Sequence, residues 1–398
     1  MSTPDPAPVP ATRIPLLLFI QGVTALTVMS SIVVGAHYYL GARLVRDAEL
    51  PEPWSTLGYA ALAFFFVSIF GGFIAGRLLR KRTGALVQWL GFLWMGTFGV
   101  LLTVTGFSDL VLFVWRLVGT APEHPGPMRA LIVASVSAMA LIHAFLVARG
   151  TPSIERVEVK VPGLPKGLDG FTLAQITDVH IGDTLRRDFL ERVVAVVNSL
   201  EADAVAVTGD LIDGSVARLR GEMEPLSQLR GKLGVFYVTG NHEYYHGGQA
   251  WEAEVRRLGL TVLHNEHRVV EKNGARLTIG GVPDLEGRRF DAAQTPDAKA
   301  AFAGAPTAQE APRVLLAHQP RFAKAAQDAQ VSLQLSGHTH GGQIFPFMFF
   351  VKLQQPVIAG LHTLWGTQVY TSKGTGYWGP PFRLGPRSEV SHLTLRPA

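Results

Sequence analysis

The sequence predicts two parts of different fold class: an all-α transmembrane part of about four helices, then an α/β layered domain. Three observations carry this. Long apolar runs are confined to residues 14–150. From Thr151 onward, short β-type runs alternate with helical stretches. The polar residues of that second part fall just after the strands, where α/β sheets place their ligands.

Composition narrows the function classes. The 398 residues are 47% hydrophobic and only 17% charged, and the excess of apolar residues is concentrated in the first part. The net charge of +5 suits a membrane surface or phosphorylated substrates. No basic stripe interleaved with aromatics and no zinc-finger spacing occurs, so no nucleic acid partner is expected. The chain has no cysteine, which excludes disulfides, thiolate metal sites and a cysteine nucleophile.

The Pro-rich segment 1–13, "MSTPDPAPVPATR", lacks a signal-peptide n-region and reads as a disordered tail. Runs from Ile14 to Tyr38, Leu57 to Leu78, Ala85 to Gly106 and Met128 to Val147 each approach the roughly 20 apolar residues a spanning helix needs. Trp54, Trp89 and Trp115 are placed for membrane interfaces. "GFSDLVLFVWRLVG" either extends the third helix or starts a new one, with Ser108 or Asp109 as its N-cap. His143, inside the fourth run, is expected to pack against a neighbouring helix. Arg77, Arg80, Lys81 and Arg82 in the second loop, and Arg149, Arg156, Lys160 and Lys166 after the fourth run, place that loop, the N-terminus and the large domain on the cytoplasmic side.

In the domain spanning 151–398, "IERVEVKVPGL" alternates as an amphipathic strand, and "RRDFLERVVAVVNSL" has helical periodicity. Five other strands end in metal-ligand chemistry. "FTLAQITDVH" ends in Asp178 and His180, and "ADAVAVTGDLID" in Asp210 and Asp213. "GVFYVTGNHE" ends in Asn241, His242 and Glu243, "RVLLAHQP" in His318, and "VSLQLSGHTH" in His338 and His340. Carboxylate, imidazole and amide oxygen without thiolate suit Mn, Fe, Zn or Mg, with Mn slightly favoured. In an extended segment, residues two apart share one face about 6.5 Å apart, so Asp178/His180 and His338/His340 would each present a pair of side chains.

The ordered blocks D-x-H, G-D-x-x-D, G-N-H-E, a lone H and G-H-x-H resemble the calcineurin-like metallophosphoesterase superfamily. "GHTHGGQ" and "SKGTGYWGPPFRLGPRSE" are similar to its bacterial membrane-associated branch. The resemblance implies a four-layer α/β sandwich with a centre of two divalent metal ions. It implies Asp178, His180 and His340 on one ion, Asn241, His318 and His338 on the other, and Asp210 bridging. A bridging hydroxide would attack phosphorus, with His242 beside the leaving oxygen. It also implies a bacterial inner membrane location. The leading expectation is hydrolysis of a lipid-linked phosphate or pyrophosphate, of which a UDP-diacylglucosamine-type pyrophosphate is one example. The alternatives are a soluble substrate, with the helices only an anchor, and an inactive membrane receptor or scaffold. The sequence leaves the oligomeric state open.

Asp213 and Glu243 are expected to support ligands rather than to bind metal. Tyr244, Tyr245 and His246 line the pocket or a surface loop, and Asp284 is expected to be a turn acid. His264, His267, His362 and His392 are taken as ordinary. "IFPFMFFVKL" is either a buried element or an apolar lip for acyl chains or the bilayer, and the exposure of Phe347, Phe349 and Phe350 decides between them.

Overall fold

A computed structural model describes residues 16–79 and 81–398, so the expected N-terminal tail lies outside the described residues. Four long apolar helices come first: α1 (Leu16–Gly41), α2 (Trp54–Leu78), α3 (Lys81–Leu117) and α4 (Gly126–Arg149). Each contains a stretch long and apolar enough to cross a membrane. The stretch after Gly106 extends α3 rather than starting a new helix.

The chain forms two compact units, Met1–Val67 with Leu101–Ala134, and Ser68–Val100 with Ser135–Ala398. In the first unit, a five-residue π-helical turn, Ala42–Arg46, follows α1. Asp109 lies inside α3 and does not cap a helix. Its carboxylate accepts from Tyr39 Oη (2.7 Å), Arg43 Nε (3.0 Å) and Arg129 Nη1 (2.5 Å). Asp47 accepts from the same two arginines and from Arg46. Charges in an apolar surrounding persist only when paired, which is why these carboxylates and guanidiniums gather at one place. His143 differs from expectation too. It is exposed on α4, off the stripe of Val133, Ser137, Ala144 and Ala148 that the helix buries.

The second unit holds the α/β domain. Its strands are β1 (Ser153–Val161), β2 (Thr172–Ile176), β3 (Ala204–Thr208), β4 (Val235–Val238), β5 (Thr261–Val262) and β6 (Glu266–Lys272). They continue with β7 (Ala275–Gly281), β8 (Arg313–Leu316), β9 (Leu333–Ser336), β10 (Gly360–Leu364), β11 (Thr367–Thr371) and β12 (Glu389–Pro397). Its helices are α5 (Arg187–Ser199), α6 (Val216–Met223), α7 (Asn241–Tyr245), α8 (Gly248–Arg257), α9 (Ala298–Ala301) and α10 (Met348–Val351).

The strands make two mixed six-stranded sheets, ordered β1-β12-β2-β3-β4-β5 and β10-β11-β9-β8-β7-β6. β2, β3, β4 and β5 are mutually parallel, as are β7, β8, β9 and β11. The apolar faces of the two sheets meet in a core that includes Leu173, Phe236, Val238, Ile279, Leu316 and Leu335. On the outer face of the first sheet, α5 buries Phe189, Leu190, Val193 and Val197, and α8 buries Trp251 and Val255. This is the layered α/β domain that the alternation of strands and helices predicts. Stacking two parallel-strand cores puts the carboxyl ends of β2, β3, β4, β8 and β9 on one rim, and the site forms there.

The ends of the membrane helices that belong to this unit pack on the α/β domain. Trp89 Nε1 donates to the carbonyl of Asp183 at 3.3 Å, and Arg383 N donates to the carbonyl of Ala144 at 3.0 Å. Arg149 Nη1 donates to the carbonyl of Thr184 at 2.9 Å. Gly96 has no room for a Cβ because the Phe382 ring fills the space, and Gly99 faces the Phe347 ring.

Candidate metal centre

The rim gathers every residue that the strand ends nominate. Asp178 and His180 follow β2, Asp210 follows β3, Asn241 and His242 open α7 after β4, His318 follows β8, and His338 and His340 follow β9. Asp178, His180 and His340 bring one ligand atom each within 4.8 Å of the others. Asp210, His318 and His338 do the same, as do His180, Asp210 and His242. Asn241 lines the same pocket.

The expected extended geometry is not how the pairs are made. Asp178, His180, Asp210, His338 and His340 have φ of 53°, 53°, 53°, 70° and 50°. Each is a non-glycine residue in the left-handed region, at a cost of about 1–3 kcal/mol. Such a conformation persists only when its surroundings fix it. Here Asp178 N donates to the Gly209 carbonyl (3.0 Å) and His180 N to the Asp210 carbonyl (3.2 Å). His338 N donates to both carboxylate oxygens of Asp178 (3.0 Å), and His242 N donates to Asp210 Oδ1 (2.9 Å). Gly337 and Gly240 make room for this: a Cβ on either would overlap the carboxylate of Asp178 or Asp210.

Hydrogen bonds on the far side of two of the rings orient them. His318 Nδ1 donates to the Thr208 carbonyl at 2.7 Å, and its Nε2 faces Asp210 Oδ2 at 3.1 Å. His180 Nδ1 donates to Asp213 Oδ1 at 3.1 Å, and its Nε2 faces His340 Nε2 at 3.1 Å. The buried Oδ1 of Asn241 has no hydrogen-bond donor. Carboxylate oxygens, ring nitrogens and the undonated amide oxygen of Asn241 thus converge in a buried site, and that donor set fits divalent metal ions.

Asp213 does a second thing. The same Oδ1 accepts from His242 Nδ1 at 2.6 Å. Burial disfavours the charged form of His242, but the carboxylates of Asp210 and Asp213 outweigh it and lift its pKa to about 9. The two carboxylates thus favour the imidazolium form of His242. For His338, burial and the neighbouring His318 both act downward, to about 3, which favours the neutral ring. Glu243 accepts from the backbone N–H groups of Asp210 (3.0 Å), Leu211 (2.8 Å) and Gly240 (2.6 Å), so it ties the β3 end to the β4 end.

Residues 171–342 match the calcineurin-like phosphoesterase family. An uncharacterized metallophosphoesterase of Campylobacter jejuni is 31% identical over 370 residues, covering 91% of this chain and 95% of the relative. The chain belongs to the metallophosphoesterases. An uncharacterized metallophosphoesterase of Aquifex aeolicus is 34% identical over 245 residues, covering 61% of this chain and 91% of the relative. A transmembrane protein with metallophosphoesterase domain from Danio rerio is 39% identical over 277 residues, 68% of this chain and 62% of the fish protein. This metallophosphoesterase thus spans just under two thirds of the length of its vertebrate relatives.

The pocket over the centre has a volume of about 580 Å³. One side carries Asp210, Asn241, His242, His338 and His340, and the other is apolar: Met95, Ile344, Phe347, Phe350 and Val351. Phe347, Phe349 and Phe350 are 45%, 57% and 63% exposed, which selects the apolar lip over the buried element. Trp378 and Tyr245 flank His242 with ring centroids at 5.7 and 5.3 Å, so Tyr245 is a pocket residue, whereas Tyr244 is buried.

Asp284 is the expected turn acid, its Oδ1 accepting from Glu286 N at 2.8 Å, but it is also buried and accepts from Gln319 Nε2 at 3.0 Å, next to His318. Burial raises its pKa to about 6.

Two residues of this neighbourhood have no sequence signal. Met95 sits inside an ordinary apolar run. Arg383 looks like a surface cation, yet it is buried and donates to the carbonyls of Gly374 (3.3 Å), Gly376 (2.9 Å) and His340 (3.4 Å).

Proposed function

We propose that this chain is a membrane-anchored hydrolase of a lipid-linked phosphate or pyrophosphate, with a membrane domain over 14–150 and a catalytic domain over 151–398. One observation carries the lipid part: the metal-ligand residues share their pocket with Met95, from a helix of membrane-spanning character, and with the Phe347/Phe350 lip. A pocket that joins metal-ligand chemistry to a mostly apolar lining suits a substrate whose phosphate is attached to a hydrocarbon. UDP-diacylglucosamine-type pyrophosphates are one candidate. The positive loop charges support a cytoplasmic catalytic domain.

Asp178, His180 and His340 would hold one divalent ion, Asn241, His318 and His338 the other, with Asp210 between them. Manganese is the first candidate for both. When bound, two such ions supply Lewis acidity and lower the pKa of water toward about 7. The chain supplies the rest. The Asp213 carboxylate holds the His242 ring in place and keeps it charged, so that Nε2–H can be given to the leaving oxygen. Glu243 and Gly240 hold the Asp210 turn. The lip and Met95 exclude water from the apolar part of the substrate.

The test is metal analysis and a turnover panel on detergent-purified protein. Close to two ions per chain are expected, with lipid-linked pyrophosphates and phosphates turned over faster than soluble diesters. Asp210→Asn should lose both metal and turnover. Full activity in that variant sinks the two-metal reading. Strong turnover of a soluble ester with none on any lipid sinks the lipid part alone.

A further inference from the structure

We infer that the segment Phe345–Leu353 docks into the lipid bilayer as an interfacial wedge beside α3, so that a substrate's hydrocarbon enters the metal pocket sideways from the membrane. The entry route rests on the lipid reading above, whereas the docking does not.

Five large apolar side chains are exposed within these nine residues: Phe345, Phe347, Phe349, Phe350 and Leu353, the last at 82%. Elsewhere in the α/β domain Val269 and Trp365 are exposed apart from one another, and Phe290 pairs only with Tyr245 among the exposed rings. A contiguous patch marks an interaction surface. Its occupant follows from what adjoins it. Phe347 packs on α3 at Gly99, where the ring lies 3.0–3.3 Å from the position of a Cβ. The patch is therefore continuous with the apolar surface of a membrane-length helix.

The part of α3 carrying Trp89, Gly96 and Gly99 is packed on the α/β domain, so the patch and the helix surface meet within one compact unit.

The chain just after the wedge is fixed to the domain. Gln355 Nε2 donates to Gln319 Oε1 at 3.2 Å, and Gln355 Oε1 accepts from Arg321 N at 3.3 Å. Phe350 and Phe347 line the metal pocket, whereas Phe349, Phe345 and Leu353 do not. One element thus offers one set of rings to the membrane and another to the pocket. This is the geometry of an amphipathic segment lying in an interface.

The natural chain has no cysteine, so a single introduced thiol gives a unique label. Leu353→Cys and, as a control on the far sheet edge, Glu271→Cys are labelled with an environment-sensitive fluorophore and reconstituted in phosphatidylglycerol/phosphatidylethanolamine vesicles. Spin-labelled acyl chains should quench the label at 353 and leave that at 271 unaffected. Quenching of 353 by aqueous iodide with none by the lipid probes overturns the docking. Loss of a dimer in Phe345→Glu/Leu353→Glu, without lipid quenching of 353 in the parent, also overturns it and assigns the patch to a second copy.

The same double variant tests the route. Its turnover of a lipid-linked pyrophosphate in vesicles should fall about tenfold or more, while a soluble aryl phosphodiester is hydrolysed within about twofold of the parent rate. Unchanged lipid turnover overturns sideways entry. If the label at 353 is quenched by lipid but no lipid substrate is turned over at all, docking stands and the lipid-substrate reading fails.

Discussion

Asp213 Oδ1 accepts from both His180 and His242, for which the proposed tasks differ: one on the ions, one on the leaving group. Asp213→Asn should lower kcat by about 10–100-fold, the range seen when a partner of a metal ligand is lost. A second readout separates this from simple misfolding. Removing the carboxylate lowers the His242 pKa from about 9, so the alkaline limb of the pH–rate profile should move to lower pH. An unmoved limb would take His242 out of the acid role. Gly337 is a sharper case, because a Cβ there would overlap the Asp178 carboxylate and the Thr177 hydroxyl. Gly337→Ala should destabilise the domain by about 1–3 kcal/mol and reduce bound metal. Thermal unfolding together with metal analysis of the purified variant checks both effects.

At this scale the sequence is most legible where chemistry is rare. Two carboxylates, four histidines and an asparagine seldom follow strand after strand unless a metal centre needs them, and the fold brings them to one rim. Their backbone conformation is not legible. Positive φ at five of these residues depends on hydrogen bonds between strand ends that lie far apart in sequence. Arg383 and Asp284 are hidden for a related reason: burial of a single polar residue is decided by elements elsewhere in the chain.

Among elements, the strand ends and membrane helices are legible, because period and length suffice for both. α10 is not, since an apolar run of its length fits a core or a surface equally well. Neighbouring elements decide, and here α3 covers only part of it. The β2–β3 edge offers a different test. Asp203 Oδ2 accepts from Thr172 N (2.8 Å) and from Lys272 Nζ of β6 (2.6 Å), joining the two sheets. Burial would raise its pKa, but Lys272 and Thr172 outweigh it and the value is lowered. A depressed carboxylate stabilises above its unfolded pKa of about 3.9, and that contribution is lost as pH falls through the folded value. Asp203→Asn should therefore be less stable than the parent near neutral pH, and the difference should shrink as pH drops below about 4. Unfolding midpoints measured from about pH 3 to about pH 7 decide it. A gap that stays constant with pH would mean that the carboxylate charge is not the cause.

On the scale of the whole molecule, the α/β sandwich packs together with parts of the apolar helices. Its compact unit takes in Ser68–Val100 as well as Ser135–Ala398. Composition marks residue 150 as a change of character, but packing depends on which helix faces meet Trp378, Phe382 and Phe347. β12 has a consequence for how the chain comes to be folded. It lies between β1 and β2, with Arg156 and His392 bonded across 236 residues of sequence. The sheet that carries Asp178 and Asp210 therefore has a gap until the polypeptide through β12 has been synthesised. During that time β1 and β2 expose unpaired edges beside the bilayer. Membrane insertion of the first helices is finished long before. The nascent domain waits at the membrane surface as an open half-sheet, and a ribosome stalled before Glu389 would leave an aggregation-prone chain rather than a smaller enzyme.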